Sequence, residues 1–214
     1  MIIDHNNPEY RKIWDVSGKN QHNGAYYYSV EIVRDIIPNI KTDRNWVTIN
    51  ARGQCCDHSI VFIHNNQFPS RYDWLKEYKD LILVCGVETT CDKVKHLGTP
   101  IYLPLSVNVK EVERYKAKKT KDTAFVGRRT KRSGIIFPSD TDYLEDMSRN
   151  KLLKEMAKYE NVYAVGRCAI EAKILGCNVL PYDDRYPDPD IWKILDNQEA
   201  VSILQNKLDL IDRR

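Results

Sequence analysis

The sequence predicts an α/β protein built on two small parallel sheets, each covered by helices. Short apolar runs alternate with helically spaced segments along most of the chain. Runs such as "LILVCG" (81–86) carry almost no polar residue, as strands buried on both faces require. The alternation then starts again after a charged break at 109–122, "VKEVERYKAKKTKD".

The elements follow in order. "HNGAYYYSVEIVRDIIPN" opens at Gly24 and takes helical spacing, with Val30, Val33, Ile36 and Ile37 on one face and Pro38 stopping it. Strands are expected at "NWVTIN" (45–50) and "SIVFIHNN" (59–66), the latter running into His64. Pro69 and Ser70 open a helix, and 81–86 is a strand. "ETTCDKVKHLG" is a short helix closed by Gly98, and "TPIYLPLSVN" (99–108) a strand ending in a loop. Beyond the break, "TAFVGR" (123–128) is a strand entering a glycine turn, and 141–160 a single helix. "NVYAVGRCAIEAKILGCNVLPYD" (161–183) then reads strand, glycine turn, helix, glycine, strand. A Pro- and Asp-rich loop precedes a final amphipathic helix, "NQEAVSILQNKLDLIDRR". The expected division is 1–110, a charged linker 111–122, and 123–214, as two Rossmann-like domains facing a cleft.

The composition suits a soluble globular chain of 214 residues, 42% hydrophobic and 29% charged. A net charge of +3 excludes a polycation, so any phosphate site must arise from local clustering. Six cysteines without a CxxC pair fit a reduced, cytoplasmic protein, and zinc spacings are absent. "MIIDHNNPEYRK" does not read as a secretory signal, and no apolar run is long enough to span a bilayer, so no membrane insertion is expected.

Ligands of parallel α/β sheets bind beyond the carboxyl ends of the strands. The residues there are His64-Asn65-Asn66, Gly86, Asn108, Gly127-Arg128-Arg129, Gly166-Arg167 and Tyr182-Asp183-Asp184. Gly166 as a turn leaves the next helix's first N–H groups pointing at the strand end, an anion site to which Arg167 adds charge. One turn on, Glu171 can accept both hydroxyls of a ribose; alternatively it pairs with Arg167 at i,i+4 or caps its own helix. The second glycine turn is followed by Arg128, Arg129, Lys131 and Arg132, and residues 116–132 hold eight Lys/Arg against one Asp. Such a run can neutralise a diphosphate, contact a nucleic-acid backbone, or be a solvated loop.

"AFVGRRTKRSG" followed by "VYAVGRCAIEAKILGCNVLPYD" resembles the donor-binding domain of GT-B type glycosyltransferases. The likeness is loose over most of the chain and more specific over 123–183. It implies that Gly127, Arg128, Lys131 and Arg132 hold the donor's phosphates, with Gly166 and Arg167 at the helix start and Glu171 on the ribose. It also sets Gly24 at the start of a first helix facing those phosphates, and "IVFIHNN" as the strand bringing a histidine to the cleft. One large group of these enzymes carries a second glutamate eight residues before the ribose glutamate; that position here is Tyr163.

The function implied is metal-independent sugar transfer from a nucleotide sugar, a UDP-sugar being the expected donor, with no cofactor. Arg128 stabilises the leaving diphosphate and His64 is the candidate acceptor-side base, its ordinary pKa suiting proton transfer near neutrality, with Asp57 and Asp73 as the other candidates. The acceptor is unassigned, a nucleic acid among the candidates. The rival expectation is a non-catalytic nucleotide- or nucleic-acid-binding module of the same fold.

Overall fold

The computed structural model describes residues 28, 30–48, 55–63, 69–145 and 147–213. The chain is α/β with two four-stranded, wholly parallel sheets, compatible with a Rossmann-like fold. It forms two compact units, Tyr28–Leu105 joined by Asn197–Arg214, and Ser106–Asp196. The last amphipathic helix therefore belongs to the first unit.

In the first unit the strands are β1 (Asn45–Thr48), β2 (Ser59–Ile63), β3 (Ile82–Cys85) and β4 (Thr99–Tyr102). They pair in sequence order, β1-β2-β3-β4. All five residues of β2 and all four of β3 are buried, which explains their apolar sequence after Ser59. Val61, Ile63, Leu83 and Cys85 turn one face toward Tyr72, Leu75, Val94 and Leu97. Those residues come from a 3-10 helix, Pro69–Glu77, and from helix α1 (Glu88–Val94) with its following turn. The helix expected after Pro69 is thus 3-10 in winding.

Two further expectations change in this unit. The segment before Pro38 winds as a π-helical turn over Ile32–Ile36, and Ile32, Ile36 and Ile37 are buried while Val30 and Val33 are only half-buried. A wider turn shifts which residues share a face. Gly98 does not close α1 by a left-handed cap; a Cβ there would lie 2.6 Å from the Leu81 carbonyl oxygen, so close backbone approach excludes a side chain.

The second unit holds β5 (Lys121–Val126), β6 (Asp142–Leu144), β7 (Tyr159–Tyr163) and β8 (Asn178–Leu180), in the order β6-β5-β7-β8. Its helices are α2 (Val109–Glu113), α3 (Arg149–Met156) and α4 (Arg167–Ile174). The stretch 141–160 is therefore not one helix. Its first residues add a strand, and the helix starts only after Ser148, whose extended backbone marks the boundary.

Right-handed crossovers put α3 and α4 on a common face of this sheet, where they touch each other. The β5–β6 connection crosses in the opposite direction and lies on the other face. There Phe137, from that connection, packs on Phe125, Tyr143, Tyr163 and Tyr182, with ring centroids 4.9–6.1 Å apart. Helix α5 (Asn197–Asp212) buries Ala200, Leu204 and Leu208 at successive i,i+4 positions. No helix among the described residues is long and apolar enough to cross a membrane. All six cysteines are free.

Candidate functional site

The connection leaving β5 goes to β6 on one side, and the chain then returns across β5 to β7 on the other. The strand order reverses between β5 and β7, and parallel α/β sheets take ligands beyond the carboxyl ends at such a reversal. Both basic glycine turns of the sequence stand at this reversal. Gly127-Arg128 follows β5 directly, and Gly166-Arg167 follows β7 after two residues.

Gly166 sits at φ +63°, ψ −136°, a conformation that a side chain would strain, and its carbonyl accepts from Ala169 N and Ile170 N. The turn sets the start of α4 beyond the carboxyl end of β7. Beyond Gly127 a single 3-10 turn, Arg129–Arg132, folds back over the strand end. A Cβ at Gly127 would lie 3.8 Å from Lys131 Cδ, so the lysine stem covers this turn. Burial lowers the pKa of the Lys131 ammonium; Cys168, in the first turn of α4, opposes that shift and Arg128 adds to it. Neither Arg128 nor Lys131 has a carboxylate partner among the described residues. Burial pushes the Cys168 thiol up to about 11, so it stays protonated near neutrality.

Arg132 stands apart from this pair. Its Nε donates to Glu145 Oε1 at 2.5 Å, and its guanidinium lies 4.5 Å from the Tyr143 ring centroid. That geometry gives its charge to β6 and the residue after it. The rest of the basic run disperses as well. Lys116 pairs with Glu113, Lys119 donates to the carbonyls of Ala157 and Leu175 that end α3 and α4, and Lys121 pairs with Asp142. Lys121 and Arg128 stand at opposite ends of β5, roughly 20 Å apart at ~3.3 Å per residue. The run is therefore not one continuous patch.

Glu171 lies inside a buried ion network. It is 3% exposed, Arg167 6% and Arg149 7%. Arg167 Nε donates to Glu171 Oε1 at 2.7 Å, and Arg149 Nε and Nη2 donate to the same oxygen at 3.2 Å. Arg149 Nη1 donates to Glu111 Oε1 at 2.5 Å. Two acids and two bases thus neutralise one another where isolated burial would be costly. All the bonds to Glu171 end on Oε1; Oε2 accepts none among the described residues. One oxygen anchors the carboxylate and the other remains able to accept a hydroxyl.

The i,i+4 pairing of Arg167 with Glu171 is thus present, as one of the alternatives read from the sequence. Arg149 and Glu111, which complete the network, carry no sequence signal, because they lie on other helices. Gly24 and His64 lie outside the described residues. Among the described residues no group of three His, Cys, Asp or Glu could hold a metal ion. No family model, curated protein or solved structure matches this chain.

Proposed function

We propose that the chain is a metal-independent glycosyltransferase of the GT-B plan, with its nucleotide-sugar donor on the second unit. The observation that carries this is the strand-order reversal between β5 and β7, with a basic glycine turn on each side of it. Arg128 and Lys131 neutralise the diphosphate, and the start of α4 adds oriented N–H groups. Positive groups fixed before the reaction act on the charge that grows on the departing diphosphate. Glu171 Oε2 takes a ribose hydroxyl while Arg167 and Arg149 hold Oε1. Arg167 orients this carboxylate through its Nε. The first unit takes the acceptor, with His64 as its base.

The test is a thermal-shift screen against UDP-, GDP-, ADP- and CMP-sugars, followed by assay of donor hydrolysis. A donor at a hundred times its Kd stabilises by about 2.7 kcal/mol, which is roughly a 5–10 °C rise in Tm. One nucleotide series should stabilise selectively and its sugar should be slowly hydrolysed. Binding without any turnover would leave a nucleotide-binding module and overturn the transferase.

A further inference from the structure

A phenol hydroxyl taken out of water without a partner is costly, so folded proteins keep few of them. The hydroxyl of Tyr182 is one: it is fully buried and has no hydrogen-bond partner among the described residues. Burial accordingly raises its pKa. The ring has little freedom to turn away. It meets Phe125 edge-on at 5.6 Å, Phe137 at 5.7 Å, Tyr163 at 6.2 Å and Tyr186 at 5.2 Å between centroids.

Tyr182 follows β8, and its loop is tied to the turn that follows β5. Tyr186 Oη donates to the Lys131 carbonyl at 3.0 Å, and Arg185 Nη2 donates to the Ser133 carbonyl at 3.2 Å. Cys168, in the first turn of α4, interacts electrostatically with both Lys131 and Tyr182. Three connections therefore converge: the turn after β5, the start of α4 and the loop after β8. They carry a half-buried lysine without a carboxylate partner among the described residues, Lys131, and a phenol without an acceptor, Tyr182. One ligand satisfies both, an anion with several oxygen acceptors.

We infer that Tyr182 is a ligand-contacting residue of the second unit, its hydroxyl donating to a phosphate oxygen of a diphosphate whose charge Lys131 neutralises. This rests on the reading that the second unit binds a nucleoside diphosphate. It adds a residue that the basic turns alone do not reveal, and a donor that is neutral where its neighbours are cationic. A hydrogen bond from a phenol to a charged oxygen is worth about 1.5–3 kcal/mol, or roughly 10- to 150-fold in affinity.

The test is calorimetric titration of the full chain with inorganic pyrophosphate, and with the nucleoside diphosphate of the stabilising series. Wild type is compared with Tyr182→Phe, Lys131→Met and, as a control in the exposed part of the basic run, Lys118→Gln. Tyr182→Phe should weaken both ligands at least ten-fold while leaving the ligand-free Tm unchanged or raised, because it deletes an unsatisfied group. Lys131→Met should weaken pyrophosphate further, and Lys118→Gln should bind as wild type.

Unchanged affinity in Tyr182→Phe overturns the inference and leaves the donor-site reading standing. So does a wild type that binds the nucleotide but not pyrophosphate, since the nucleoside then holds the ligand. Weaker binding with a lowered ligand-free Tm also counts against it, being the signature of a packing residue. Pyrophosphate binding lost in Tyr182→Phe, with no nucleotide sugar turned over, keeps the inference and removes the transferase. Absence of all binding by wild type removes both.

Discussion

The two sheets have the same number of strands and the same parallel pairing, yet they differ in order. The first runs β1-β2-β3-β4 and winds steadily one way; the second runs β6-β5-β7-β8 and doubles back. Steady winding makes no switch point, whereas doubling back sends adjacent connections to opposite faces and makes one. Ionic groups follow the same division. In the first unit, a cluster of Asp43, Arg44, His58 and Asp80 gathers where the chain enters β1, β2 and β3, at the edge opposite the carboxyl ends. In the second, unpaired cations stand at the carboxyl ends of the strands and a buried network lies behind them. Both sheets thus set ion pairs at strand starts, Lys121 with Asp142 in the second, and the second also carries Arg128 and Lys131 without carboxylate partners after β5.

The largest effect should come from breaking the buried network. Glu171→Ala leaves Arg167 and Arg149 desolvated beside a missing carboxylate, and should cost about 3–5 kcal/mol in urea unfolding. The corresponding change in the first unit, Arg44→Ala, should cost less. Arg44 donates to the Asp80 carbonyl at 3.0 Å, but the Asp80 and Asp212 carboxylates beside it are 58% and 48% exposed. Equal losses from the two variants would erase the distinction between a buried network and a rim cluster.

Leu204→Ala should fall between these, at about 2–4 kcal/mol, because the side chain is fully buried in α5. It sharpens the division of the chain. Hydrogen exchange should accelerate in β2 and β3, while β5 and β7 keep their protection. Loss of protection in β5 instead would place the last helix with the second unit.

Much of the α/β alternation was legible because it depends on local spacing. The strand at 142–144 was not. Three residues, Asp-Tyr-Leu, are too few to show a period of two, and they run into a segment whose leucines and methionines have helical spacing. Missing that strand hid the reversal itself, since strand order is a relation between distant segments. The site divides in the same way. Arg167 with Glu171 is a one-turn relation on one helix. Arg149 and Glu111 reach Glu171 from 22 and 60 residues away through packing. The basic run looked like one cluster only because sequence distance ignores that β5 carries its two ends apart. Tyr182 was visible as a residue after a strand, but its buried hydroxyl is a property of the six-ring cluster around it.

The smallest effect expected is one of pH. His58 holds a left-handed backbone, φ 62°, and its ring nitrogens face Asp80 at 2.5 Å and Asp43 at 3.3 Å, with Arg44 nearby. The hydrogen bond to Asp80, then that to Asp43, raises its pKa above the ordinary 6.5, against small opposing effects of burial and Arg44. A raised folded pKa means that protonated His58 stabilises the fold. That contribution is complete below pH 6.5 and fades as pH rises through the folded value. His58→Asn, which tolerates the left-handed backbone, should flatten Tm against pH in this window. An unchanged pH profile would show that the pair contributes nothing, as exposed pairs often do.

On the proposed function, the reversal in the second sheet, and not the first sheet, takes the diphosphate nucleoside. Hydrogen exchange with and without the most stabilising nucleotide sugar tests it most directly. Protection should appear at 127–132, 166–170 and 182–186 and be absent at 86–88 and 103–105. Protection confined to the first unit, or none at all under saturating ligand, would contradict it.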